Sequence, residues 1–282
     1  MRVQPEELKS DFFSATLFAK LFGAEEKIFA SPHALKMAKL VDSQIKYVTG
    51  LPIDESISNV HKFLSDEQKS YDLTFGINQI SQKLYDTPKQ VFDSYKTFLR
   101  EDLFPLLGMD FYYQSQMTTR LQTPHPTADV FYPMFHSDIQ LGHPPHEFNI
   151  WIPLSEPSPT EGHGFALSTL QESINIFERF NFDIEKIKTK SKSISHELLN
   201  SAKLQNCPVG SILLFDSRKF HSTIPLQQHS RASIDIRVII RSEYERAKRS
   251  YTGTGRKKIK FSPGFAYSEK SICNDVSKTS SG

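Results

Sequence analysis

The stretch FHSDIQLGHPPHEFNIWIPL, residues 135–154, carries three of the chain's ten histidines and one aspartate ahead of an alternating apolar segment. In the alternating part, one face of a predicted strand holds Phe148, Ile150, Ile152 and Leu154, and the other face holds Asn149, Trp151 and Pro153. A histidine-rich turn that leads into a half-apolar strand predicts a polar site at the edge of a β-sheet.

The first histidine and the aspartate have the spacing of two ligands to one metal ion. Residues i and i+2 of a strand point to the same face, so His136 and Asp138 can reach one point from the end of a predicted strand at 130–136. His221 follows the apolar segment 211–215 and a short turn, and it is the candidate third ligand. Two histidines and one carboxylate are typical of non-haem Fe(II) oxygenases, whereas zinc more often has a closed tetrahedral set.

The hydrophobic period changes along the chain. Apolar residues recur at three- and four-residue steps up to Gly108, which predicts a mainly helical region over residues 1–108. Residues 109–244 instead show period two, and strands are predicted at 117–123, 130–136, 148–154, 164–168, 211–216 and 232–241. A polar, helical insertion is expected at 171–205 and a polar C-terminal segment at 245–282. We therefore expect one domain, 1–282, with a β-barrel or jelly roll supported by helices.

Composition excludes several classes of protein. The formal net charge is only +2, so the sequence does not indicate a nucleic-acid-binding protein. The chain has no run of about 18 apolar residues and no signal-peptide pattern, which argues against a membrane protein and for a cytoplasmic location. Two distant cysteines offer neither a disulfide framework nor a CxxC metal site.

The segment RASIDIRVII, residues 231–240, supplies cations near the histidines. Alternation places Arg231, Ser233, Asp235 and Arg237 on one face of a predicted strand. Because a buried guanidinium needs a compensating anion, a dicarboxylate ligand is expected, gripped through two parallel hydrogen bonds. Either Arg231 or Arg237 can be the residue that binds this dicarboxylate. The alternative for Arg237 is a structural ion pair with Asp235 or Glu243.

Four segments together resemble a known enzyme family. HSD at 136–138, the following GHPPHEFNIWIPL, FH at 220–221 and RASIDIRV at 231–238 are similar to the Fe(II)/2-oxoglutarate-dependent oxygenases, nearest to the phytanoyl-CoA-dioxygenase-like and StrG-like branch. The resemblance covers about 117–240. It implies a mainly β fold with flanking helices around a double-stranded β-helix (jelly-roll) core. It also implies iron on His136, Asp138 and His221, with O2 as co-reactant, and 2-oxoglutarate held by Arg231 with Ser233 assisting.

The resemblance and the strand faces suggest further pocket residues. TTRLQTP at 118–124 resembles the strand that precedes the metal motif in that branch, which makes Arg120 and Gln122 candidates for the cosubstrate or substrate pocket. Asn149 is expected near the cosubstrate, and Trp151 either walls the pocket or packs in the core. Gln140 and His143 are candidate substrate contacts, with an orienting role as the alternative for His143, and His146 is expected in a rigid exposed turn. GHGFALSTLQES at 162–173 departs from the branch's usual sequence and leaves the substrate pocket unassigned.

These features predict an enzyme. We expect a hydroxylase that oxidises an unactivated C–H bond of a small polar metabolite while 2-oxoglutarate is converted to succinate and CO2. A complete HxD argues against halogenation, since halogenating relatives lack this carboxylate. Two alternatives stay open, a cupin-like metalloenzyme that does not use 2-oxoglutarate and a non-catalytic ligand-binding jelly roll. The sequence decides neither the substrate nor the oligomeric state.

Overall fold

A computed structural model describes residues 5–14, 17–69, 71–72, 77–84, 88–124, 135–158, 162–224, 226–250 and 267–275. Its α-helices are α1 (Pro5–Ser14), α2 (Leu17–Phe22), α3 (Pro32–Thr49), α4 (Asp66–Lys69), α5 (Gln79–Lys83), α6 (Lys89–Phe98), α7 (Phe104–Leu107), α8 (Leu170–Arg179), α9 (Ile184–Thr189), α10 (Ser191–Leu199), α11 (Arg241–Ser250) and α12 (Ile272–Asp275). Two 3-10 helices (Ile57–Lys62 and Asp138–Leu141) and a π-helical turn (Leu99–Leu103) complete the helical elements. None of the described helices is long and apolar enough to cross a membrane.

The strands are β1 (Glu26–Ala30), β2 (Tyr71–Asp72), β3 (Ile77–Asn78), β4 (Phe111–Tyr113), β5 (Thr118–Gln122), β6 (Glu147–Pro153), β7 (Phe165–Leu167), β8 (Lys203–Leu204), β9 (Ser211–Asp216), β10 (His221–Thr223) and β11 (Arg231–Ile240). Five of the six predicted strand regions are observed to within a few residues. Most of the sixth, 130–136, lies outside the described residues, as does much of the predicted C-terminal segment.

The larger sheet is antiparallel, and β11 organises it. Its strand order is β1-β9-β6-β11-β4, and β5 pairs with the first half of β11. The long strand thus pairs with β6 along one edge and with β5 and then β4 along the other. Three short strands lie among the described residues of the region 1–108, which was expected to be mainly helical. β1 pairs with β9 and forms the edge of this sheet, and β2 and β3 pair with each other.

A smaller antiparallel sheet, in the order β10-β7-β8, faces the larger one. A buried cluster joins the two layers, with Trp151, Leu213 and Phe215 from the larger sheet and Phe165 and Leu167 from the smaller. The indole of Trp151 stacks on Phe165 at 4.9 Å between ring centroids. The predicted fold class, a mainly β jelly-roll core with flanking helices, is confirmed by this arrangement.

Helices cover the outer faces of the larger sheet and one side of the smaller. The long helix α3 begins where the Ser31 side chain accepts a hydrogen bond from the Ala34 amide and ends at Gly50, which has the left-handed φ of 72°. Its apolar face joins α6 and the apolar faces of β6 and β11 in one core cluster. The insertion is helical as predicted, and α8, α9 and α10 pack on a second cluster that contains Phe12, Phe135 and Phe220.

Candidate metal centre and its pocket

His136, Asp138 and His221 come together between the two sheets. One ligand atom from each side chain lies within 4.8 Å of the others. His136 pairs with the first residue of β10 through two backbone hydrogen bonds, in which the His136 amide donates to the His221 carbonyl at 3.1 Å and the reverse bond is 2.9 Å. The imidazole ring centroids are 4.5 Å apart. Two imidazoles and a carboxylate in this arrangement are a donor set suited to Fe(II).

The backbone around Asp138 differs from the extended HxD segment that the spacing suggested. Ser137 caps a short 3-10 helix, so Asp138 occupies the first helical position and not a strand. The same cap engages Gln140, whose Oε1 accepts a hydrogen bond from the Ser137 amide at 2.8 Å. The structure therefore gives Gln140 a buried capping role in place of the expected substrate contact.

His221 is held by the turn that precedes it. Its Nδ1 lies 3.2 Å from the Lys219 carbonyl, so the Nδ1–H donates there and Nε2 is left as the ligand atom. Upstream in the turn, Arg218 forms a buried two-bond ion pair with Asp216, at 2.9 and 2.6 Å, and also donates to the Phe12 carbonyl. The turn is thus tied both to β9 and to α1.

The Asp138 carboxylate is fully buried and surrounded by donors. Arg237 Nε donates to Oδ2 and Nη2 donates to Oδ1, both at 2.8 Å, and Asn149 Nδ2 donates to Oδ2 at 2.7 Å. Burial alone would raise the pKa of Asp138, but Arg237, His221 and His143 together hold it well below its usual range. The alternation predicted for β11 is observed, yet Arg237 binds the candidate metal ligand. This contact differs from the two expected for Arg237, a cosubstrate carboxylate and a pairing with Asp235 or Glu243.

The two remaining histidines of the opening stretch are buried. His143 Nδ1 lies 2.8 Å from Oε2 of the buried Glu147, and the His143 amide donates to the Asp138 carbonyl. The substrate-contact role and the orienting role of His143 both stay predictions. His146 contacts Arg246 and lies within ion-pair distance of Asp11 and Glu243, so the exposed turn expected for it is wrong.

Arg231 lies at the other end of the same face of β11. Its side chain is buried, and Nη2 donates to Thr223 Oγ1 at 3.1 Å. The guanidinium carbon lies 5.6 Å from the centroid of the Trp151 ring and 6.0 Å from that of Phe165. Ser233 and Gln122 are close by in the register of β11 and β5, and Ser233 Oγ and Gln122 Oε1 are buried with no hydrogen bond among the described residues.

A cavity of about 40 Å³ connects the candidate metal ligands to Arg231. Its walls include Arg120, Asn149, Trp151, Phe165, Thr223, Asp235 and Arg237. Arg120 forms an ion pair with Asp235, so both signs of charge line the wall beside the triad.

A second cavity, of about 210 Å³, lies on the far side of Arg231. Several hydroxyl groups line it, together with His163, which is buried against Trp151 at 5.1 Å between ring centroids. His163 Nε2 lies 2.5 Å from the Cys207 carbonyl. Burial, with a smaller contribution from the Arg231 charge, lowers the pKa of His163 to about 4, so the imidazole is neutral at pH 7.

This histidine predicts a specific loss of stability in acid. Its pKa is about 4 in the folded chain and about 6.5 when unfolded, so below pH 6.5 the unfolded chain binds a proton that the folded chain does not. Stability falls from pH 6.5 down to about 4, and the loss at pH 5 is about 2 kcal/mol. Urea unfolding at pH 7 and at pH 5 measures the loss. The free energy of unfolding should fall less between these two pH values in His163→Gln than in the wild type. Equal losses in the two proteins would contradict this assignment.

Sequence reasoning missed three contributors to the site. Thr223 stands two residues after His221, and the same i, i+2 argument that joined His136 to Asp138 would have found it. Phe165 and the pairing of Glu147 with His143 have no comparable signal, because they depend on how the two sheets face each other.

The comparisons with known proteins are limited to distant structures. No protein-family model matches the chain, and no curated protein matches it. Among solved structures, EctD from S. alaskensis with bound Fe is 14% identical at a TM-score of 0.47, covering 82% of this chain and 76% of that one. The α-ketoglutarate-dependent carbocyclase SnoK from nogalamycin biosynthesis is 11% identical at 0.47, covering 85% and 87%. HygX from Streptomyces hygroscopicus, with nickel and 2-oxoglutarate bound, is 12% identical at 0.47, covering 81% and 87%.

Proposed function

We propose that this protein is a non-haem Fe(II)/2-oxoglutarate-dependent oxygenase that hydroxylates an unactivated C–H bond of a small polar metabolite. The observation that carries the proposal is the cluster of the part-buried His136 with the buried Asp138 and His221, which shares one cavity with the buried Arg231. A three-residue donor set leaves coordination positions for other ligands, and a guanidinium at the far end of the cavity suits the distal carboxylate of a bound dicarboxylate.

In this proposal the side chains divide into three groups. His136, Asp138 and His221 hold the metal ion, which when bound supplies the O2 chemistry that couples conversion of 2-oxoglutarate to succinate and CO2 with substrate oxidation. Arg231, with Thr223 and Ser233 beside it, binds and orients the cosubstrate. The stacked rings of Trp151 and Phe165 exclude water from that end of the cavity.

The proposal of a polar substrate is supported by the wall next to the triad. Arg120 and Asp235 form an ion pair there, and both side chains are about one-fifth exposed. Such a pair offers a carboxylate acceptor and a guanidinium donor to a ligand that carries complementary groups. A purely apolar substrate would cover the exposed part of this pair and remove its solvation, at a cost in binding free energy.

The test is anaerobic addition of Fe(II) and then 2-oxoglutarate to the purified protein. The proposal predicts the weak visible metal-to-ligand charge-transfer band of a chelated complex in the wild type and none in His221→Ala. Succinate release in the presence of candidate polar metabolites then identifies substrates. A folded, iron-loaded wild type without the band would overturn the 2-oxoglutarate assignment and favour a cupin-like metalloenzyme. A folded protein that binds no metal would favour a non-catalytic jelly roll.

A further inference from the structure

The donors around Asp138 leave the carboxylate with very little capacity for a metal ion. An ionised carboxylate has about four lone-pair sites, two on each oxygen. Oδ2 accepts from Asn149 Nδ2 at 2.7 Å and from Arg237 Nε at 2.8 Å, which occupies both of its sites. Oδ1 accepts from Arg237 Nη2 at 2.8 Å, which leaves one site on this oxygen.

From this geometry we propose that Arg237 and Asn149 are positioning residues that restrict Asp138 to binding the metal through Oδ1 alone. The inference rests on the proposed function, because it concerns the metal centre of that site. Both residues are nine-tenths buried or more, and Arg237 comes from β11 while Asn149 comes from β6, next to each other in the sheet. Because Arg237 bonds both carboxylate oxygens and Asn149 adds a second bond to Oδ2, rotation about the Cβ–Cγ bond is restricted.

The restriction matters for the number of open coordination positions. With two imidazoles and one carboxylate oxygen, an octahedral metal keeps three positions open, two for a chelating 2-oxo acid and one for O2. If Asp138 rotated and bound through both oxygens, only two positions would be left. The cosubstrate would fill both of them, and no position would be available for O2.

The test uses the protein with bound Mn(II) and no cosubstrate. The number of water ligands on the Mn(II) ion is measured from the relaxation of water protons. We expect three waters in the wild type and two in Arg237→Met, so that the inner-sphere relaxation enhancement per bound ion falls by about one third. Arg237→Lys keeps the test valid if Arg237→Met fails to fold. Asn149→Leu should keep three waters, because the two bonds from Arg237 still prevent the metal from binding both oxygens at once. Gln114→Leu is the matched control, because Gln114 accepts from Arg237 at 3.4 Å and lies outside the hydrogen bonds of Asp138. Three waters are expected there.

The outcomes separate this inference from the proposed function. Three waters in the wild type, in Arg237→Met and in Arg237→Lys would overturn the positioning role and leave the oxygenase proposal intact. A wild type that binds no Mn(II) and no Fe(II) would overturn both. Arg237→Lys adds a further check, because lysine keeps the charge but cannot bond both carboxylate oxygens with two nitrogens. The Mn(II) ion in this variant should have one water ligand fewer than in the wild type, as in Arg237→Met.

Discussion

Replacing Arg231 with methionine is expected to weaken 2-oxoglutarate binding by about 2–5 kcal/mol, which is about 30- to 4000-fold in the dissociation constant. The guanidinium is buried between Thr223 and the ring of Trp151. Methionine preserves much of the side-chain volume but offers the distal carboxylate no donor. The change is measured by anaerobic titration of the iron-loaded protein with 2-oxoglutarate, monitored through the charge-transfer band.

Two controls identify the cause of this loss. Affinity for Fe(II) alone should change little, because Arg231 is not among the groups that contact Asp138. Arg231→Lys should bind 2-oxoglutarate with intermediate affinity, since it keeps a charge but forms no two-bond fork. Unchanged cosubstrate affinity in Arg231→Met would show that another residue is the clamp.

The largest effect on stability is expected at Arg218. Its ion pair with Asp216 is almost completely buried, and the same guanidinium also donates to the Phe12 carbonyl at 2.9 Å. Arg218→Met leaves the Asp216 carboxylate buried without this partner, so the free energy of unfolding should fall by about 3–5 kcal/mol. Urea unfolding monitored by circular dichroism measures this change.

A second arginine–carboxylate ion pair in the chain serves as a control, because it differs from the Arg218–Asp216 pair mainly in burial. Arg179 also grips a carboxylate with two hydrogen bonds of 2.7 Å, to Glu197, but both side chains are 47% exposed. Arg179→Met should therefore cost less than about 1 kcal/mol. If the two substitutions cost the same, burial would not be what makes the Arg218 pair important.

Local patterns predicted the faces of the strands well. A period of two assigns side chains to opposite sides of a strand, and on β11 the apolar residues do enter the core cluster while Arg231 and Arg237 line the cavity. The meeting of His136 and Asp138 was also predicted, although from an extended strand, whereas the structure has a 3-10 helix that begins at Asp138. His221 could be placed because it follows a recognisable apolar strand.

Contacts between distant segments were not predictable in this way. Arg237 and Asp138 are 99 residues apart, and their contact depends on the register between β6 and β11, which no local period specifies. The strand β1 was missed because only five residues form it at a sheet edge and its burial does not alternate strictly. Gln140 was misplaced because a capping serine turns the backbone into a 3-10 helix immediately after His136.

The position of Trp151 gives the protein an internal optical reporter. It is the chain's single tryptophan, and its indole lies between the two sheets, against Phe165 and within 5.6 Å of the Arg231 guanidinium. A nearby cation alters the emission of an indole, so a ligand that draws Arg231 away from the ring changes the fluorescence of the unlabelled protein. The same signal reports separation of the two sheets, and a single emission spectrum therefore follows both occupancy and unfolding.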